Sequence, residues 1–212
     1  MITILGVGHV FELGASIRRI IEEVRPAIVA VELDPVRYRA LAGGPARPGP
    51  GLYGLLGLAQ RHLARKYGVR AGGEMLAAVD AARAVHARVA FIDMDSRNVV
   101  RRMLSEMSGG ERVRFFLSAI AALFVPRETV DQEVAQYEAN PAAFLEELGR
   151  GYPSVKRILL DERNAHMARE LRELETSSGT VVAVVGEGHL EGLTAALADR
   201  PLRVVRLQEL RR

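Results

Sequence analysis

The chain predicts an α/β fold: a mostly parallel central sheet of four to five strands, with flanking helices and a helical insertion. Three observations carry this. Short, β-branched apolar runs recur along the chain, two of them bounded by glycine, and they read as strands buried on both faces, as in a parallel sheet. Helical patterns separate these runs, and the stretch from about 97 to 175 contains helical patterns only. Two runs lead into matching tetrapeptides, Gly6-Val7-Gly8-His9 and Gly186-Glu187-Gly188-His189, so a histidine stands where each strand stops.

The first strand is Ile2-Thr3-Ile4-Leu5, and the glycines after it permit a sharp turn and the close approach of another group. Ile17, Ile20, Ile21 and Val24 then recur at helical spacing between charged residues, which predicts an amphipathic helix over 14–24 ended by Pro26. Residues 27–34 read as a second strand ending in carboxylates, so residues 2–33 form a βαβ unit. Its right-handed crossover puts both strand ends on one sheet edge. Pro35 opens a short helix to Leu41, and the Gly- and Pro-rich segment 43–51 is a loop. Helices follow at 52–67 and 74–86, then a third strand at 88–93 ending in Asp93, with Asp95 two residues on. Beyond the helical excursion, Val181 to Val185 forms a fourth strand that delivers His189, a helix runs to Ala198, and Leu202 to Val205 closes a fifth. Residues 1–212 thus read as a single α/β domain with an insertion at about 97–175.

A chain of 212 residues can bury about 70% of its unfolded surface, so it needs no staple. The absence of cysteine excludes disulfides and thiolate metal sites and leaves His, Asp and Glu as ligands. The net charge of +3 is slight and scattered, only Lys66 and Lys156 are lysine, and 5% of the chain is aromatic, a pattern that gives no nucleic-acid footprint. No basic leader precedes the first strand, and the longest uncharged apolar stretch, Phe115 to Val125, is short of the ~20 residues that span a bilayer. As written, the chain reads as a soluble, cytoplasmic protein without a membrane segment. Val113 to Val125 is apolar nearly all round, which predicts a buried or subunit-interface helix and with it a homodimer.

The first four strands finish in His9, Glu32, Asp93 and His189. In open α/β sheets ligands bind at the carboxyl ends of the strands, so histidines from distant segments converge there. Two imidazoles with one or two carboxylates suit a divalent Mn, Co, Fe or Zn ion with positions left open for water. A single histidine after a strand more often caps a helix or bonds in the core; the repeated Gly-x-Gly-His context favours a site for the pair. Glu32 ends an apolar run, where a charge is costly unless partnered. Asp34, followed by Pro35, reads instead as a helix N-cap, and Asp93 and Asp95 read equally as caps of the helix near Arg97. Glu74 lies in the first turn of a helix, where a carboxylate commonly only complements the helix dipole. Arg163 falls in the apolar arc of Val155, Leu159, Met167, Leu171 and Leu174, and a buried arginine needs an anionic partner. Glu162 and His166 beside it read as a surface pair or as part of a site. A dinucleotide-binding turn is the rival reading, with Gly6-Val7-Gly8 after a strand and Glu32 near the ribose-binding position, but Phe11 stands where its third glycine belongs.

Several segments together carry a resemblance that spans residue 3 to about 193. They are Gly6-Val7-Gly8-His9-Val10, Val29-Ala30-Val31-Glu32-Leu33-Asp34, Tyr53-Gly54-Leu55-Leu56, Gly72-Gly73-Glu74-Met75, Phe91-Ile92-Asp93-Met94-Asp95, Leu160-Asp161-Glu162-Arg163-Asn164 and Val184-Val185-Gly186-Glu187-Gly188-His189-Leu190. In this order they resemble the TraB/PrgY family, named for pheromone shutdown proteins, within a wider group of Tiki, GumN-like, ChaN-like and erythromycin-esterase-like proteins. That resemblance implies paired histidines at His9 and His189, a first-motif glutamate at Glu32, and further site residues at Glu74 and Arg163. The chain departs from the family at Met94, where an arginine is common, and many microbial relatives continue into membrane helices beyond the point where this chain stops. The expectation is a metal-dependent, peptidase-like hydrolase acting on a peptide or small molecule. His9, Glu32 and His189 would be the metal ligands, and Glu32, Glu74 and Arg163 the catalytic residues. From another class, a non-catalytic protein that sequesters a peptide or small ligand fits the same resemblance.

Overall fold

All the short apolar runs read from the sequence become strands of one parallel sheet. The computed structural model describes residues 1–8, 13–43, 72–121 and 141–211. His9, the loop expected at 43–51 beyond Gly43, and the helix expected at 52–67 lie outside the described residues. The described chain forms two units, Met1–Ser96 with Asn164–Arg212 and, separately, Arg97–Arg163.

In the first unit, β1 (Ile2–Val7), β2 (Ile28–Val31), β3 (Arg88–Phe91), β4 (Val181–Gly186) and β5 (Leu202–Val205) pair in the order β3-β2-β4-β1-β5, all parallel. β1 runs two residues beyond its predicted end, through Gly6 and Val7, because these residues keep pairing with Val185 and Gly186. The two glycine-bounded segments therefore leave the same edge of the sheet side by side. β1 and β2 are not neighbours: β4, from the far end of the sequence, lies between them.

The helices follow the sequence pattern closely. They are α1 (Gly14–Val24), α2 (Pro35–Ala42), α3 (Gly73–Ala84), α4 (Ser96–Glu106), α5 (Gly109–Ala121), α6 (Pro141–Gly151), the short α7 (Pro153–Lys156) and, after a π turn at Arg157–Asp161, α8 (Glu162–Ser178). A 3-10 turn at Glu187–His189 leads into α9 (Leu190–Ala196), and α10 (Leu207–Leu210) follows β5. Arg25 closes α1 in the left-handed region at φ 43°, and Pro26 prevents the helix from continuing. Side chains alternate across the strands into two cores. Leu5, Val7, Val29, Val31, Val182 and Val184 pack with Ile17, Ile21, Met75 and Val79 on one face. Ile2, Ile4, Ile28, Ala30, Ala183 and Val185 pack with Met167, Leu171, Leu190 and Leu193 on the other.

The second unit is helical. Arg102 and Arg157 close a ring of ion pairs with Glu106 and Glu162, at 2.8 and 2.5 Å from Arg102 and 2.6 and 2.5 Å from Arg157. Ser108 and Glu111 form a reciprocal cap for α5, Ser108 N donating to Glu111 Oε2 at 2.8 Å and Glu111 N to Ser108 Oγ at 3.2 Å. The same carboxylate accepts from Ser154 N at 2.9 Å and Ser154 Oγ at 3.0 Å, so it ties α5 to the start of α7. The donated Ser108 hydrogen bond, opposed by burial and reinforced by Ser154, lowers the Glu111 carboxyl from 4.5 to about 2. A depressed carboxyl stabilises the fold above its ordinary value, and that contribution is lost as pH falls toward about 2. Glu111→Gln is therefore expected to cost about 1–2 kcal/mol at neutral pH. It should also flatten the decline in stability between pH 4.5 and about 2, read from urea unfolding across that range.

On α5, Val113 and Leu117 are 62% and 63% exposed in the single chain. Among the described residues no helix is long and apolar enough to cross a membrane.

Candidate functional site

The site starts from the central strand. Because β4 lies between β1 and β2, its end comes beside the end of β2, and the residues that follow the two strands meet. Glu32 follows β2 directly, its backbone N–H still donating to Val184 O at 3.0 Å, and its carboxylate turns across to the end of β4. There Gly186 N donates to Glu32 Oε2 at 2.6 Å, and Glu32 Oε1 stands 3.3 Å from His189 Nε2. Glu32 is 8% exposed and His189 4%. A buried carboxylate is tolerated because an amide N–H and an imidazole meet it, where an isolated charge would be forbidding.

The other imidazole nitrogen is held from the opposite side. His189 Nδ1 lies 2.7 Å from Asn164 Oδ1, a buried contact from α8. The result is a chain of three side chains, Glu32, His189 and Asn164, drawn from the residue after β2, the turn after β4 and α8. The first two are residues that the sequence predicts, and Asn164 is not among them. The available signal was a polar residue in an apolar stripe: Asn164, Met167, Ala168 and Leu171 are the buried residues of α8.

Arg163 does not occupy that stripe, contrary to the helical spacing drawn from Val155 through Leu174. The π turn at Arg157–Asp161 inserts extra backbone into the helical path, so the apolar phase slips by about one residue and Asn164 takes the inward position. Arg163 belongs to the second unit, where its guanidinium donates to Leu159 O at 3.0 Å. Glu162 is engaged in the ion-pair ring, and His166 Nδ1 lies 2.8 Å from Arg169 Nη2 on an exposed face.

The second tetrapeptide also supplies a structural clasp. Glu187 is 8% exposed, and its Oε2 accepts from Leu207 N at 2.9 Å while Arg206 Nη1 lies 3.4 Å from Oε1. This carboxylate crosses the surface of Gly6, where a Cβ would stand 2.2 Å from Glu187 Oε2 and 2.5 Å from Leu190 Cδ1. Gly6 is glycine because a residue of the other motif occupies its side-chain space.

The remaining strand-end acids have other work. Asp34 caps α2, accepting from Val36 N at 2.8 Å and Arg37 N at 2.9 Å, as the sequence predicts, and also accepts from Ser96 N at 3.2 Å. Burial raises its carboxyl, but these donors outweigh the burial and hold it below the ordinary value. Asp93 accepts from Met94 N at 2.8 Å and lies 3.9 Å from Arg37 Nη1. Glu74 is buried in the first turn of α3, after Gly72 in a left-handed conformation. The dinucleotide reading needs its glycine turn and its ribose-binding acid on neighbouring strands. Here β4 separates β1 from β2, and Glu32 is committed to Gly186 and His189.

Glu32 and His189 provide one carboxylate oxygen and one imidazole nitrogen, donors that suit divalent transition metals. Two donors bound about 2.0–2.1 Å from one tetrahedral ion sit roughly 3.4 Å apart, which the 3.3 Å separation matches. Among the described residues no three His, Cys, Asp or Glu side chains cluster to hold an ion. A further donor is needed, and His9 is the candidate that the sequence supplies.

The sheet and its strand-end residues define an open parallel α/β protein with polar side chains gathered at the carboxyl edge of its strands. The chain belongs to the TraB/PrgY/gumN family, whose model matches residues 1–206. A curated relative, the uncharacterized protein MJ1365 of Methanocaldococcus jannaschii, is 27% identical over 210 residues, which cover 92% of this chain and 53% of that relative. The chain thus spans about half the length of the curated relative it matches.

Proposed function

We propose that this protein is a metal-dependent, peptidase-like hydrolase, with a divalent ion held by Glu32, His189 and His9 at the carboxyl ends of the strands. The observation that supports this reading is the buried Glu32–His189 pair, 3.3 Å apart, with the second imidazole nitrogen engaged by Asn164. Metal-ligating histidines characteristically have their other ring nitrogen held in this way. When bound, a divalent ion polarises a carbonyl and lowers the pKa of bound water. Glu32 is oriented for its part by Gly186 N, which occupies Oε2 and leaves Oε1 turned to His189. From the family resemblance, Glu74 takes the role of general acid or base. The substrate class is a peptide or a small molecule.

Incubation with a diverse peptide library in the presence of Mn, Co or Zn, read by mass spectrometry, tests the proposal. Cleavage products that disappear on chelation and in Glu32→Gln are expected. Peptides retained intact would instead favour sequestration, the non-catalytic reading that pheromone shutdown also allows. Neither cleavage nor retention would contradict both.

A further inference from the structure

An imidazole presents one nitrogen to a partner only if something else fixes the proton on the other. Val185, Leu190 and Leu193, close to His189 in sequence, are fully buried in the core of that face. Its Nδ1 meets Asn164 Oδ1 at 2.7 Å, the length of a well-made hydrogen bond. Asn164 is 9% exposed and shares the buried stripe of α8 with Met167, Ala168 and Leu171. A polar side chain in such a stripe is unfavourable without a partner, and His189 is that partner. The backbone has also been cleared for it. A Cβ on Gly192 would stand 2.1 Å from Asn164 Nδ2 and 2.8 Å from its Cγ, so the amide occupies the space where any other residue at 192 would put a side chain.

We propose that Asn164 is the positioning residue of the site: its amide oxygen accepts a hydrogen bond from His189 Nδ1–H and so turns Nε2 to Glu32, with Gly192 as the opening that admits it. The assignment rests on the hydrolase reading only for its consequence, that Nε2 is the ligand nitrogen. The Nδ1–H itself is a property of the protein without any ion. With Oδ1 as the acceptor, Nδ2 is directed toward the Gly192 backbone, which agrees with its close approach there.

The test uses the full chain labelled with 15N-histidine and free of metal, with the His189 ring nitrogens read by long-range 1H–15N correlation. In the wild type, Nδ1 is expected in the protonated range. In Asn164→Leu it is expected to move to the unprotonated range, with Nε2, which faces the Glu32 carboxylate at 3.3 Å, as the ring's protonated nitrogen; Asn164→Asp restores the Nδ1 proton. If Asn164→Leu does not fold, Gly192→Ala serves as the second variant, since it displaces the same amide, with the same change expected. Titration of each protein with Zn should then show an affinity loss of about 10–100-fold in Asn164→Leu and recovery in Asn164→Asp. An Nδ1 that is unprotonated in the wild type, or that keeps its proton in folded Asn164→Leu, overturns the proposal. A tautomer that changes as described in a protein that binds no Zn removes the metal reading and supports the role of Asn164.

Discussion

Glu32→Gln and His189→Ala are each expected to weaken Mn, Co or Zn binding by more than about 100-fold, beyond the roughly 10–100-fold typical of losing a residue that only orients a ligand. The two variants separate binding from folding. Glutamine at 32 is the same size as glutamate and its amide oxygen can keep the hydrogen bond from Gly186 N, now 2.6 Å long, so Glu32→Gln should retain its fold. His189→Ala removes a residue that is 4% exposed, leaves the Asn164 oxygen without its donor and opens a cavity. Leaving a buried polar group without its partner costs about 1–3 kcal/mol, and the cavity adds to that cost. His189→Ala should therefore lose both stability and metal, and Glu32→Gln metal alone, as calorimetric titration beside urea unfolding would show. Equal affinity in the wild type and Glu32→Gln would end the ligand role of this carboxylate.

Gly6→Ala is expected to destabilise the protein by about 2–4 kcal/mol, although it adds a single methyl group. The new carbon would stand 2.2 Å from Glu187 Oε2 and 2.5 Å from Leu190 Cδ1. Leu190 is fully buried, and Glu187 is held by Leu207 N at 2.9 Å, so neither can withdraw without loss. Movement of the carboxylate would leave a buried backbone N–H unsatisfied, and movement of Leu190 would strain the core. Because Glu187 and Leu190 flank His189 in sequence, the same substitution should disturb the Glu32–His189 pair and weaken metal binding. Chemical unfolding measures the first effect, and a change within about 0.5 kcal/mol of the wild type would show that the clasp yields freely.

Much of this was legible in the sequence, for physical reasons that differ by element. The strands were readable because a parallel sheet buries both faces, which leaves unmistakable runs such as Val181 to Val185. Glu32 was readable because it interrupts such a run with a charge. Asp34 was readable as a cap because Pro35 fixes the start of the helix after it. What escaped depended on pairing and phase. No local pattern announces that β4 lies between β1 and β2, although this is what brings His189 to Glu32. Helical periodicity assumes an unbroken helix, so the π turn at Arg157–Asp161 concealed that the inward polar residue of α8 is Asn164 and not Arg163. Nothing in the second tetrapeptide announces that Glu187 lies against Gly6 and is the clasp that joins the two motifs.

In crystals grown with Mn and measured at the metal absorption edge, anomalous scattering locates the ion without reference to activity. One anomalous peak is expected within about 2.0–2.2 Å of both Glu32 Oε1 and His189 Nε2. A peak elsewhere, or none at saturating Mn with the pair still in direct contact near 3.3 Å, would contradict a metal site at this pair.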